Sequence, residues 1–63
     1  MGDAMSGVEM IKMLKREGFK VVKVSKGSHY HLIKGDAYVI VPHHHTELGK
    51  GLCNRILEDA KLK

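Results

Sequence analysis

The 63-residue chain contains one cysteine, one proline, one phenylalanine and no tryptophan. A single cysteine excludes an intramolecular disulfide and leaves a cysteine-based zinc site without its ligands. Cys53 therefore reads as a small apolar core residue. No stretch resembles a membrane span, and Met1-Gly2-Asp3-Ala4 has neither the basic start nor the apolar run of a signal peptide. A reducing cytoplasm is the expected setting. Acidic residues are also in short supply. Seven Asp and Glu stand against eleven Lys and Arg, a net charge of +4 with neutral histidines. Such a surplus attracts polyanions over long range.

The length bounds the architecture to one domain. A chain this short buries only about 60% of the surface that it exposes when unfolded, so its core is a single thin layer. That leaves no space for a deep cofactor pocket, and no cofactor or metal is expected. An active site would have to be a surface patch, which suits a large ligand such as nucleic acid.

Ser6-Gly7-Val8-Glu9 fits the capping box, in which a serine and a glutamate three residues later satisfy free backbone N–H groups reciprocally. Val8, Ile11, Leu14 and Met10 follow at helical spacing, and Gly18 is a helix stop. The first helix is expected over about residues 7–17, with residues 1–5 a disordered tail and residues 6–63 one domain. Phe19 to Val24 reads as a strand. Strict alternation puts Phe19, Val21 and then Lys23 on one face, with Lys20, Val22 and Val24 on the other. After the turn Ser25-Lys26-Gly27-Ser28, a second strand from His29 to Lys34 carries His29, His31 and Ile33 on one face and Tyr30 and Leu32 on the other. Gly35-Asp36 marks a tight hairpin. A third strand, Ala37 to Val41, stops at Pro42. Beyond the polar loop His43-His44-His45-Thr46-Glu47, a second helix is expected over about residues 49–61. Leu48, Leu52, Ile56 and Ala60 form its apolar stripe. The order α-β-β-β-α is that of an α+β fold, a three-stranded antiparallel sheet with both helices on one face and the other face open.

The segment Lys26-Gly27-Ser28-His29 delivers a histidine onto the start of a strand beside a lysine. Histidine is the side chain that both takes and gives a proton near neutral pH. Lysine ammonium groups are compact donors to phosphate oxygens. His31, two residues on and on the same face, is a candidate second proton-transfer or RNA-contacting group. The run His43-His44-His45 invites a metal reading, but successive side chains of a regular strand alternate faces and no carboxylate or cysteine is clearly placed to complete a site. Tyr38 is expected in core or rim packing, with base stacking the alternative.

In this arrangement the chain resembles the HicA family of toxins. Ser6-Gly7, Gly18-Phe19, Gly27-Ser28-His29, Val41-Pro42, His44, Glu47-Leu48, Lys50-Gly51 and Arg55-Ile56-Leu57 with Ala60 and Leu62 carry the likeness from Ser6 to Leu62. The resemblance implies a fold like the double-stranded-RNA-binding domain and metal-independent cleavage of mRNA. It also implies neutralisation by a HicB-like antitoxin that covers the active site. Its signature turn puts the catalytic role on His29, as general base or acid. Lys26, Gly27, Ser28, His31, His44 and Lys50 are the candidate RNA contacts. Two positions depart from the family pattern: Leu52 stands where a threonine is usual, and Lys61 where a glycine is. The alternative reading is a non-catalytic RNA-binding module of the same fold, which would need the basic residues but not His29. A protein-interaction domain that docks through its sheet is a third.

Overall fold

The computed structural model describes residues 5–62. The order is α1 (Gly7–Arg16), β1 (Lys20–Ser25), β2 (His29–Lys34), β3 (Ala37–Pro42) and α2 (Lys50–Asp59). The strands form one antiparallel sheet in the order β1-β2-β3. This is the expected α-β-β-β-α architecture, consistent with a double-stranded-RNA-binding-domain-like fold.

Both helices pack on the same side of the sheet. Met10, Ile11 and Leu14 of α1 and Cys53, Ile56 and Ala60 at α2 meet Leu32 of β2 and Ala37, Val39 and Val41 of β3 in one buried cluster. Cys53 is a core residue, as its composition suggested, with its Sγ 3.8 Å from the Met5 carbonyl oxygen. The expected α2 stripe holds at Leu48, Ile56 and Ala60 and fails at Leu52, whose place in the core is taken by Cys53. Cys53, Ile56 and Ala60 are buried, while Leu52 is 43% exposed. Spacings of three and four alternate around a helix of 3.6 residues per turn, so an unbroken series of fours drifts off the buried face.

The capping box at α1 is complete. Glu9 N donates to Ser6 Oγ at 3.1 Å, and Ser6 N donates to Glu9 Oε1 at 3.0 Å. At the other end, Phe19 N bonds Leu14 O and Gly18 N bonds Lys15 O, both at 3.0 Å, with Gly18 at φ +103°. This is a Schellman motif, and the left-handed residue that it needs is glycine. The same motif closes α2, through Leu62 N to Leu57 O and Lys61 N to Glu58 O. There the left-handed residue is Lys61, at φ +62°. Its ammonium reaches Asp36 Oδ1 at 3.0 Å, across to the β2–β3 turn.

Of the expected tail, residues 1–4 lie outside the described residues. Met5 accepts the Leu48 N–H at 2.8 Å and packs against the core.

β1 departs from strict alternation. Val21 pairs with Leu32 and Lys23 with His31, so Val22 is an extra residue in a bulge. One inserted residue reverses every face beyond it. Lys20, Lys23 and Ser25 therefore share the face of Ile33, His31 and His29, while Val21 and Val24 lie on the side of Leu32 and Tyr30. The expected grouping of Lys23 with Phe19 and Val21 is corrected by this bulge, as is that of Val24 with Lys20.

Candidate functional site at the open end of the sheet

The face away from the helices carries Lys20, Lys23 and Ser25 from β1, His29, His31 and Ile33 from β2, and Tyr38, Ile40 and Pro42 from β3. Tyr38 and Ile40 are 48% and 47% exposed, so this side stands open. The three strands contain no aspartate or glutamate. A sheet with lysines and no carboxylates presents an anion with attraction and no like-charge partner.

At one end of this face the β1–β2 turn holds two consecutive left-handed residues, Lys26 at φ +51° and Gly27 at φ +78°. Positive φ is open to glycine at no steric cost and is uncommon for a lysine. A lysine in this conformation costs on the order of 1 kcal/mol relative to a right-handed residue. A Cβ added to Gly27 would meet no atom within 4 Å. Gly27 is thus set by its φ and leaves a bare surface over the turn. Lys26 is exposed.

Ser28 is held from the neighbouring segment. Its carbonyl accepts the His43 N–H at 2.7 Å, and its Oγ lies 3.3 Å from His44 Nε2. His44 is itself tied to α1, because its carbonyl accepts the Val8 N–H at 3.1 Å. α1 comes this close because residue 7 is glycine: a Cβ there would lie 1.7 Å from the Pro42 carbonyl oxygen. A capped helix start, a strand end and a turn are thereby joined beside His29.

His29 opens β2, paired with Ser25 on one side and Pro42 on the other. It is half-buried, and its Nδ1 is shut away from solvent with no hydrogen-bond partner among the described residues. Nε2 is the nitrogen left to meet a ligand. His31 is occupied. Its Nε2 lies 2.8 Å from Ser25 Oγ and its Nδ1 lies 2.6 Å from the Tyr38 hydroxyl. One imidazole thus links all three strands. Tyr38, expected in core or rim packing, instead stands on the open face with its hydroxyl on His31.

The three consecutive histidines diverge. The His43 ring stacks on Tyr30 at 4.6 Å between centroids, and His45 meets His43 edge-on at 6.5 Å. His44 turns to Ser28. No group of three metal-ligating side chains occurs among the described residues. No helix among them is long and apolar enough to cross a membrane.

The structure therefore brings Lys26, Gly27, Ser28, His29 and His44 to one end of the sheet, with His31 one step along the same face. Lys50 is exposed at the start of α2, on the helical layer rather than the open face. The sequence reading passed over Ser25 and, while it considered Tyr38 for packing or base stacking, missed the contact that each makes with His31. Their partnership depends on cross-strand register, and the bulge at Val22 scrambles the pattern from which the β1 register would be read.

Neither the curated proteins nor the solved structures contain a match to this chain. A family model does match. Described as the HicA toxin of bacterial toxin–antitoxin systems, it covers residues 7–62, from the first residue of α1 to the end of the α2 cap. Over that span the chain belongs to the HicA toxin family.

Proposed function

We propose that this HicA toxin is an endoribonuclease that cleaves mRNA without a metal ion, with His29 as its proton-transfer residue. RNA carries its own nucleophile, the 2′-hydroxyl beside each scissile phosphate. A base takes that proton as the 2′-oxygen attacks phosphorus, the bond to the 5′-oxygen breaks, and an acid returns a proton to the leaving oxygen. Histidine suits either proton transfer. Cations that steady the added negative charge supply the remaining stabilisation.

The observation that carries this reading is the turn Lys26-Gly27-Ser28. It sets a half-buried histidine at the end of an open, carboxylate-free sheet face, with Nδ1 enclosed and Nε2 left for a ligand. In this reading Nε2 exchanges the proton and Lys26 binds the phosphate. The bare Gly27 surface lets the backbone approach RNA. Ser28 and His44, already joined, contact the chain beside it, His31 contacts it further along the face, and Lys50 reaches phosphate from the helical layer. The partner that silences the toxin is a HicB-like antitoxin that covers the His29 end of the sheet.

Purified protein should cut single-stranded RNA in the presence of EDTA and leave the 2′-deoxy analogue intact. His29→Ala should abolish cutting and growth inhibition while the circular dichroism spectrum stays that of the wild type. Cleavage of DNA, or full activity in His29→Ala, would refute the assignment. One observation favours the runner-up, a non-catalytic RNA-binding module: no carboxylate or carbonyl among the described residues orients the His29 ring through Nδ1. That reading predicts salt-dependent RNA binding without turnover, unchanged in His29→Ala.

A further inference from the structure

The Ser25–His31–Tyr38 arrangement has a property that follows from counting protons. A neutral imidazole has one N–H donor and one acceptor nitrogen; an imidazolium has two donors. If Nε2 carries the proton, it donates to Ser25 Oγ, and Nδ1 must accept the Tyr38 O–H. Only the serine proton is then free to turn outward. If Nδ1 carries the proton, it donates to the Tyr38 oxygen, Ser25 donates to Nε2, and only the tyrosine proton is free. When both nitrogens carry protons, both hydroxyls accept from the ring and both turn their own protons away from it. One protonation converts a self-satisfied triplet with one outward donor into a cation with two.

We propose that Ser25, His31 and Tyr38 form a proton-coupled subsite for a phosphodiester of the bound RNA, adjacent to His29 on the open sheet face. The position fits the ligand. Ser25 is the direct cross-strand partner of His29, and Lys23 is that of His31. A strand advances about 3.3 Å per residue, so His31 lies about one nucleotide step from His29 along the same face. Charged or titratable groups facing His31 are Lys20 and Lys23 from β1, His29 from β2 and Tyr38 from β3. Both helices lie on the far side of the sheet. No strand residue is acidic, so the anion that offsets an imidazolium here comes from the ligand. Binding a phosphate and binding a proton therefore reinforce each other, as linkage requires.

The subsite rests on the RNA reading, and its test separates the two. In the full chain carrying His29→Ala, which removes cutting, affinity for a 2′-O-methyl RNA oligonucleotide is measured by titration calorimetry across neutral pH. Buffers of differing ionisation enthalpy report the protons taken up on binding. The single variant should take up protons, and adding His31→Gln should remove up to one of them. Affinity should fall on the order of tenfold at the acid end of the range, the loss of one charge-assisted contact, and converge at the alkaline end. Tyr38→Phe removes one hydroxyl from an exposed ring. It should lower acid-side affinity several-fold, by roughly one hydrogen bond to a charged group. Proton uptake and pH profiles identical among the three proteins would overturn the subsite while RNA binding itself stood. No RNA binding by the His29→Ala chain, with no cutting by the wild type, would overturn both.

Discussion

The same substitution, glycine to alanine, should have opposite effects at Gly7 and Gly51. At Gly7 the added Cβ would stand 1.7 Å from the Pro42 carbonyl oxygen, 2.9 Å from its carbon and 3.0 Å from His44 N. All three are backbone atoms, so relief requires α1 and the 42–44 segment to part. Overpacking of this kind costs about 1–3 kcal/mol. Parting also strains the Val8 N to His44 O bond, whose loss adds about 1 kcal/mol. Alanine regains somewhat under 1 kcal/mol in helix propensity. The net expectation is a loss of about 2–3 kcal/mol, against a total of roughly 3–9 kcal/mol for a domain of this size. At Gly51, inside α2, the new Cβ meets nothing within 4 Å. Only a propensity gain remains there, smaller in this first turn than the helix-interior value of about 0.5–1 kcal/mol. Urea unfolding followed by far-UV circular dichroism, extrapolated linearly to water, measures both. Gly7→Ala should also weaken RNA cleavage in the folded fraction, because the displaced segment is the one that holds Ser28. A Gly7→Ala protein within about 0.5 kcal/mol of the wild type, or less harmed than Gly51→Ala, would refute the packing argument.

Lys61→Gly should leave stability unchanged or raise it by up to about 1 kcal/mol. It removes the left-handed penalty at φ +62° but also a solvent-screened ion pair to the fully exposed Asp36. Salt screens that pair in the wild type, so the gain should grow at high ionic strength; a loss there would contradict the capping analysis. The Lys61 ammonium, first by hydrogen bond and then by its charge, holds the Asp36 carboxyl below its ordinary value of 3.8. A carboxyl depressed in the folded state stabilises above its unfolded value, and that contribution disappears as pH falls through the folded one. Acid unfolding should accordingly show a small dependence below pH 3.8 that Asp36→Asn removes, and equal slopes in the two proteins would contradict the coupling.

Where local chemistry decides, the sequence was legible. The capping box at Ser6, the stop at Gly18, the hairpin at Gly35-Asp36 and the alternation of β2 each depend on residues within a few positions of one another. The turn that presents His29 was legible for the same reason. Legibility ended at β1, where alternation alone carries no mark of a bulge and the faces of Lys23 and Val24 were exchanged. It was also incomplete in α2, where Leu52 carries the right apolarity at the wrong angle.

Composition and short-range pattern thus determined a small basic α+β domain with an exposed histidine turn. Tertiary structure alone decided the company that each histidine keeps. His31 meets Ser25 and Tyr38, His44 meets Ser28, His43 stacks on Tyr30, and His29 Nδ1 meets no partner among the described residues. The reason is one of range: a cap or a turn is satisfied within its own segment, whereas a cross-strand partner is set by register, and a single inserted residue changes every pairing beyond it.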